Sequence, residues 1–386
     1  MKKAKIRRTI LLLLVSLCLA QIAAPALSVP TYASAPSEQS SVTEDELTDP
    51  TKMPPVEEAG SEKSAPTEDP PADKAPEKSD KANEKSGTRN APKNPDDFVI
   101  ENGVLIQYNG SSAFITIPPT VVEIAEGVFY NKTFIQSVDF PASLRKIGKN
   151  AFTSCTDLSY VNFTEGLNTI GEAAFFGCAS LNPVYLPSSL TAIGDHAFES
   201  CTGLQTLYLG SDTSLSIGER AFYECGLTSL TLPAVTNFIG HLAFYGNTSL
   251  TTLNLPEGIS GVSGWVFYGC TSLVEIDLPG SLGTIPAGMF HGCTSLETVV
   301  MRPGITIIED PDNLYQGSFQ FCTKLKSVTL PSTLTTIGKG AFYTADSLKS
   351  VTIPPSVTFI GERAFNSGEE LLIRGRIGSR AQSFAA

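Results

Sequence analysis

Leu330-Pro-Ser-Thr-Leu-Thr-Thr-Ile-Gly-Lys-Gly-Ala-Phe342 decides the fold, because it returns 23 residues later as Ile353-Pro-Pro-Ser-Val-Thr-Phe-Ile-Gly-Glu-Arg-Ala-Phe365. The phenylalanine that ends this unit recurs throughout the chain, at Phe129, Phe152, Phe175, Phe198, Phe222, Phe244, Phe267, Phe290, Phe319, Phe342 and Phe365. The spacing is 22 to 24 residues, except for one gap of 29 before Phe319. A fixed period of this size predicts a solenoid in which each unit buries its apolar face against its neighbours.

Each part of the unit has a physical role. In residues 325–330, Val328 and Leu330 alternate with Ser327 and Thr329, which indicates a strand. Pro331 ends this strand because proline lacks the N–H needed for hydrogen bonding to a neighbouring strand. A second extended piece, residues 334–337, ends at a glycine, and Ala-Phe follows in a predicted helical turn. The sequence therefore predicts an α/β-type repeat solenoid, with a parallel β-sheet of about eleven 23-residue units and short helical turns.

The repeated phrase Ile-Pro-x-Ser-Leu-Thr-x-Ile-Gly-x-x-Ala-Phe-x-x-Cys-Thr-Ser-Leu-x-x-Val-x-Leu resembles the BspA-like (Treponema-type) leucine-rich-repeat family. Asp97-Phe-Val-Ile-Glu-Asn-Gly-Val-Leu-Ile-Gln-Tyr108 resembles that family's opening hairpin, with Asn102-Gly103 as the turn. The resemblance implies a leucine-rich-repeat solenoid over residues 98–386, with an N-terminal cap at 98–117, repeats at 118–373 and a C-terminal cap at 374–386. It also implies adhesion to host proteins, other cells or polysaccharide.

The N-terminus has the layout of a secretory signal peptide. Five basic residues precede the apolar residues 9–20, and small residues follow. We predict a signal peptide at 1–33 with cleavage after Ala33, because Pro36 disfavours cleavage after Ala35. An uncleaved anchor is the alternative, which the short, interrupted apolar stretch disfavours. The predicted location is secreted or cell surface, with no membrane insertion after cleavage.

Residues 34–97 are rich in Pro, Glu, Ser and Lys and have almost no large apolar side chains. Such a segment cannot bury enough surface to offset its ordering entropy, so it is predicted to be a disordered acidic spacer. Whether it has a partner of its own is left open. The net charge of the whole chain is -12, which disfavours nucleic acid and anionic lipid as partners.

Seven cysteines stand three residues after a repeat phenylalanine: Cys155, Cys178, Cys201, Cys225, Cys270, Cys293 and Cys322. Asn247, Ala345 and Gly368 hold the same slot in other units. This slot accepts small, inward-facing groups, so a reduced ladder of buried thiols is the prediction. Disulfides between stacked neighbours are the alternative, although parallel side chains are badly placed for them.

No catalytic, metal or cofactor site is predicted, and the chain is not expected to be an enzyme. Its three histidines, His196, His241 and His291, stand at different positions relative to the repeat phenylalanine. No Gly-x-Ser-x-Gly, His-Glu-x-x-His or phosphate-binding glycine loop occurs. Asp310-Pro-Asp-Asn313 resembles part of a calcium loop but lacks its glycine and distal glutamate, which favours a surface turn.

The outward residues of the main strands, eight and ten positions after each phenylalanine, form the predicted ligand-binding face. Most are small and neutral. Two groups differ: an aromatic patch of Tyr160, Tyr185 and Tyr208 beside Asn162, and an acidic patch of Glu275, Asp277 and Glu297. Cross-strand stacking that only stabilises the sheet is the alternative for the tyrosines, and solubility is the alternative for the acids.

A third column follows the repeat phenylalanine directly and is often aromatic: Tyr130, Phe176, Tyr223, Tyr245, Tyr268 and Tyr343. Packing is the preferred interpretation because the column recurs along the whole solenoid. The leading functional hypothesis is an exported, non-catalytic, adhesin-like scaffold that binds an extracellular protein. A glycan-binding module and a self-associating surface protein are the alternatives. The ligand, the mode of surface retention and the oligomeric state stay open.

Overall fold

A computed structural model describes residues 95–210, 214–312, 314–365 and 371–385. The predicted signal peptide and nearly all of the predicted spacer lie outside these residues. The described chain forms a parallel β-solenoid with about eleven turns, each close to 23 residues long, and little helix. The predicted fold class is confirmed.

Each unit contributes one main strand and one second strand, which is the shorter of the two in most units. The main strands are β3 (Phe114–Thr116), β5 (Ser137–Asp139), β7 (Tyr160–Asn162), β9 (Val184–Tyr185), β11 (Leu207–Tyr208), β13 (Ser229–Thr231), β15 (Thr252–Asn254), β17 (Glu275–Leu278), β19 (Thr298–Met301), β21 (Ser327–Thr329), β23 (Ser350–Thr352) and β25 (Leu372–Arg374). The second strands are β4 (Glu123–Ile124), β6 (Lys146–Ile147), β8 (Thr169–Ile170), β10 (Ala192–Ile193), β12 (Leu215–Ile217), β14 (Thr236–Ile239), β16 (Gly261–Val262), β18 (Thr284–Ile285), β20 (Ile307–Ile308), β22 (Thr336–Ile337) and β24 (Phe359–Ile360).

The longer continuous sheet is built from the second strands. It begins with β1 (Phe98–Glu101) and β2 (Val104–Tyr108) and continues β4-β6-β8-β10-β12-β14-β16, and a further sheet joins β18-β20-β22-β24. The main strands, which the sequence suggested as the sheet, form five shorter sheets: β3-β5-β7, β9-β11, β13-β15, β17-β19-β21 and β23-β25. The N-terminal hairpin is as predicted, since β1 (Phe98–Glu101) pairs antiparallel with β2 (Val104–Tyr108) through Asn102 and Gly103, both with positive φ.

The segment around the repeat phenylalanine is a succession of turns rather than the predicted helical turn. Residues two before and two after the phenylalanine have positive φ, as at Leu242 (57°), Trp265 (62°) and Phe321 (60°). A left-handed residue cannot continue a right-handed helix, so the chain turns twice in five residues. Outside three short 3-10 turns (Pro95–Asp97, Gly280–Leu282 and Leu314–Gln316), the only helix among the described residues is α1 (Arg380–Ala385).

The eleven repeat phenylalanines form one stacked column through the core. Neighbouring ring centroids are 4.7–5.5 Å apart, and the ring planes lie within 14° of parallel. Tyr108 of the hairpin packs at a tilt of 43° against Phe129, and Phe384 of α1 packs edge-on against Phe365. Each cap therefore supplies a ring that closes an end of the column.

All seven cysteines of the repeat are free and buried. Each thiol donates a hydrogen bond to the carbonyl oxygen of the phenylalanine in the preceding unit, at 3.1–3.6 Å. Asn247 takes the same slot and uses its amide in the same way, with Nδ2 donating to the Phe222 carbonyl at 2.9 Å. Burial raises the pKa of Cys155 and Cys270 to about 12, so these thiols are neutral.

Candidate functional site

The main-strand face carries an exposed pair of stacked tyrosines. β9 and β11 pair in register with Tyr185 opposite Tyr208, so both side chains point outward at the same level. The ring centroids are 4.8 Å apart with planes 6° from parallel. Tyr185 is 46% exposed and Tyr208 is 51% exposed. These two rings are an exposed, stacked aromatic feature of the main-strand face, and we call them the tyrosine pair.

Tyr160 and Asn162 lie on the neighbouring strand β7, in two different columns. The register places Tyr160 opposite Ser137, and Asn162 opposite Asp139 of β5. Asn162 is in the column of the tyrosine pair, ten residues after its phenylalanine, whereas Tyr160 is in the column at eight. Tyr160 is half-buried. Pro183 holds the slot of Tyr160 in the next unit, so that column continues without a ring.

The ladder is interrupted between β7 and β9, beside the tyrosine pair. Pro183 has no N–H to donate to β7, and the Asn182–Pro183 peptide bond is cis. The Asn182 side chain takes the place of the backbone carbonyl that accepts at this position in other units, because its Oδ1 accepts hydrogen bonds from the backbone N–H groups of Gln205 (3.1 Å) and Thr206 (3.0 Å). β11 is thereby held in place against β9, which fixes the position of Tyr208.

The geometry of the tyrosine pair determines what it can contact. Each ring has one face against the other, so the edges, the hydroxyls and the two outer ring faces remain open to a partner. Exposed Ser229 and Thr231 on β13 are small, and the tyrosines therefore project above the strand that follows. A rigid aromatic projection with a polar tip is typical of protein recognition surfaces.

The three acidic residues do not form an uncompensated anionic patch. Glu275 and Asp277 are both exposed on β17. Arg302, which follows β19, donates to both carboxylate oxygens of Asp277 through Nε (3.0 and 3.1 Å) and Nη2 (2.7 Å). Its Nη1 donates to Glu257 at 3.0 Å. Glu297 pairs with Lys326 at 2.8 Å. Sequence reasoning missed Arg302, although an acid and a base about one repeat apart were a usable signal.

The column after the repeat phenylalanine contains a second, longer stack. Tyr223, Tyr245, Tyr268 and His291 lie ring on ring at 4.5, 4.7 and 4.8 Å. The Arg220 guanidinium lies over the Tyr223 ring, 4.1 Å from its centroid. Burial raises the pKa of all three tyrosines, so they are neutral. Packing between units, as predicted, is one role of this column.

Of the residues in the calcium-loop-like stretch 310–313, Asp310 is engaged in other contacts, and Asn313 lies outside the described residues. The Asp310 carboxylate accepts a hydrogen bond from the backbone N–H of Lys339 at 2.7 Å and pairs with the Lys339 ammonium at 3.7 Å. In the part of the chain that the structure describes, no group of three or more His, Cys, Asp or Glu side chains is placed to hold a metal ion. No helix within the described ranges is long and apolar enough to cross a membrane.

A parallel solenoid of short strands, with a phenylalanine column and a cysteine ladder, defines a leucine-rich-repeat protein. The profile of the "BspA type Leucine rich repeat region" matches residues 106–215, 215–311 and 303–372, with six copies of its repeat region. These matches extend over more than half of the chain. The chain belongs to the BspA-type leucine-rich-repeat family.

Similar solved structures come from several bacteria. A leucine-rich cell surface protein from Faecalibacterium prausnitzii A2-165 is 23% identical; the match covers 75% of this chain and 94% of that one, with a TM-score of 0.40. A leucine-rich-repeat protein from Bacteroides ovatus is 22% identical; the match covers 72% of this chain and 88% of that one, with a TM-score of 0.44. The pneumococcal vaccine antigen PcpA is 22% identical; the match covers 72% of this chain and 79% of that one, with a TM-score of 0.43. No curated protein matches the chain.

Proposed function

We propose that this chain is an exported, non-catalytic scaffold of the adhesin type, which binds an extracellular protein through its main-strand face. The observation that carries the proposal is the tyrosine pair, two exposed rings held in register at the same level on two paired strands. Membership of a family of leucine-rich-repeat proteins supports the general class of protein-interaction scaffold. The predicted signal peptide (1–33) and spacer (34–97) support export and display away from the surface of origin.

Preorganisation is the physical reason why this site suits protein binding. The solenoid fixes both tyrosines before a partner arrives, because their strands are hydrogen-bonded and Asn182 anchors the next strand. Little side-chain entropy is then lost on binding. The favourable contact free energy of the rings is therefore offset less by ordering, and the affinity is higher. Tyrosine also offers an apolar edge and a hydroxyl in one rigid group, which fits a pocket with a polar rim.

A direct test is surface plasmon resonance with residues 34–386, using a panel of purified extracellular-matrix proteins. We expect at least one ligand, and we expect Tyr185→Ala/Tyr208→Ala to weaken its binding about 30-fold or more, as for hot-spot residues. The matched control is Ser229→Ala/Thr231→Ala on the next strand, which should keep the affinity within about twofold. Ligands that bind the tyrosine double variant with unchanged affinity, or a panel without any ligand, would count against the proposal.

A glycan is the alternative occupant of this face, and the geometry favours it less. Sugar rings stack on open aromatic faces, but the tyrosine pair has one face of each ring closed by the other. A glycan array with the same two double variants separates these cases. Sugar binding that is lost only in the tyrosine variant would replace the protein ligand with a glycan.

A further inference from the structure

The single tryptophan of the chain lies on the turn side of the solenoid in an unusual conformation. Trp265 stands two residues before Phe267 and has a positive φ of 62°, which is costly for a bulky side chain. One unit later the same position is Gly288. A Cβ atom on Gly288 would lie 2.5–2.8 Å from three atoms of the indole. The glycine therefore leaves room for the indole to lie across the neighbouring turn.

Two other rings contact the indole, and a third packs against one of them. Tyr268 is 5.4 Å from it at a tilt of 41°, and His291 is 5.3 Å away at 38°. Phe321 packs edge-on against His291 at 5.1 Å and is 39% exposed. The indole is itself only partly buried. We call Trp265, Tyr268, His291 and Phe321 the tryptophan cluster. It differs from the rest of the aromatic column because Trp265 and Phe321 are tilted against the stacked rings of Tyr268 and His291.

Two buried polar atoms beside this cluster have no hydrogen-bond partner. His291 is 6% exposed, and its Nδ1 has no partner; Gln320, in the next unit of the same column, is fully buried with an unpartnered Nε2. The Gln320 Oε1 accepts a hydrogen bond from the Gly317 N–H at 3.2 Å, which fixes the orientation of its amide. Unpartnered buried polar groups are costly and rare, so two in adjacent units need a reason.

The cluster and its polar neighbours are uncharged at neutral pH. Burial lowers the pKa of His291 to about 4, so its imidazole is neutral. Tyr268 is neutral because burial raises its pKa, and the remaining rings and Gln320 do not titrate. A ligand that matches this surface has an apolar face for the indole, hydroxyls for the unpartnered nitrogens, and no charge. A neutral sugar ring has all three properties.

We propose that the tryptophan cluster is a binding site for a neutral carbohydrate, with a pyranose ring packed on the Trp265 indole. A ring hydroxyl then provides a partner for His291 Nδ1, which requires the exposed Phe321, packed edge-on against His291, to move aside. The site is separate from the tyrosine pair, since it uses the turns around Phe267 and Phe290 and not the main strands. It goes beyond the proposed protein-binding function and does not depend on it.

The single tryptophan makes the test direct, because all indole emission reports this site. Residues 34–386 are titrated with neutral tetrasaccharides of glucose, mannose, galactose and N-acetylglucosamine, and binding is measured by tryptophan fluorescence and calorimetry. We expect a saturable change in emission with at least one of them. Trp265→Ala, measured by calorimetry alone, should weaken binding about 30-fold.

Two further variants separate loss of the site from loss of the fold. Gly288→Ala keeps the indole but displaces it, so it should weaken binding to a similar extent while the emission signal remains. Tyr185→Ala/Tyr208→Ala should bind the sugar within about twofold of the unchanged chain, whatever its effect on protein ligands. Thermal melts confirm that each variant is folded at the assay temperature.

Three outcomes would overturn the proposal. The first is the absence of any emission change or heat of binding with all four sugars up to about 5 mM, which would exclude useful affinity. The second is unchanged sugar affinity in both Trp265→Ala and Gly288→Ala. The third is a concentration-dependent dimer that Trp265→Ala dissociates, because this would assign the surface to a second copy of the chain.

Discussion

The Cys178 thiol donates a hydrogen bond to the carbonyl oxygen of Phe152 in the preceding unit, with an Sγ···O distance of 3.2 Å. The same carbonyl accepts the backbone N–H of Cys155 at 3.1 Å. The pattern recurs at all seven cysteines, so each thiol is a cross-link between units as well as a small apolar side chain. This explains why asparagine, which can also donate, replaces cysteine at position 247.

The cysteine ladder should be inert while the protein is folded. We expect an aromatic disulfide reagent at pH 8 to label almost none of the seven thiols in native residues 34–386, and all seven in denaturant, because burial holds them neutral. Rapid labelling of one or more thiols in the native protein would contradict this. Cys201→Ala should lower the free energy of unfolding by about 1–2 kcal/mol, since it removes a hydrogen-bond donor and leaves a small void. Cys201→Ser, which retains a donor, should cost less.

Alkaline pH should destabilise the protein through the same thiols. The folded-state pKa of Cys270 is about 12, above the ordinary value of 9.0, so the folded state holds its proton longer than the unfolded state. The contribution of this thiol to the free energy of unfolding is complete below pH 9. It is lost as the pH rises towards 12, at up to about 1.4 kcal/mol per pH unit. Urea unfolding of the unchanged chain and of Cys270→Asn from pH 7 to 10.5 measures this. Their stability difference should shrink above pH 9, and parallel curves would rule out the linkage.

Acid should destabilise the protein through His291. Its folded-state pKa of about 4 lies below the ordinary 6.5, so the unfolded state binds the proton more readily. Stability is retained above pH 6.5 and falls by about 3 kcal/mol as the pH drops to 4. Thermal melts of His291→Gln should show a flatter dependence in this range. The exposed His241→Gln is the control and should follow the unchanged chain; equal slopes in all three proteins would disprove the assignment.

The left-handed positions beside the phenylalanine column can be tested with two adjacent alanines. Ala173 has a φ of 51°, whereas Ala174 is buried and lies outside the positive-φ region. Ala173→Gly should stabilise the protein by about 0.5–1 kcal/mol, because glycine adopts positive φ without a Cβ clash. Ala174→Gly should destabilise it by about 1 kcal/mol through lost packing and higher unfolded-state entropy. Shifts of the same sign in the urea midpoint would refute this explanation of the turns.

Periodicity alone determined the solenoid and the inward phenylalanine and cysteine columns, whereas the opening hairpin with its Asn102-Gly103 turn was expected from the family resemblance. A repeat that buries its apolar face only against its own neighbours leaves few other folds, so a single sequence is sufficient for these features. The same reasoning placed Tyr185 and Tyr208 in one outward column, because side chains at equal positions of stacked parallel strands meet.

Only the tertiary structure decided which residues of neighbouring units interact. Arg302 neutralises Asp277, the Asn182 side chain accepts a hydrogen bond from the backbone of the next strand, and Trp265 lies over Gly288. Each of these depends on side-chain direction or on a left-handed backbone angle, which the alternation of apolar and polar residues does not encode. Periodicity fixes which side of the solenoid a residue faces, whereas contacts along the solenoid are fixed by rotamers and turns once the units are stacked.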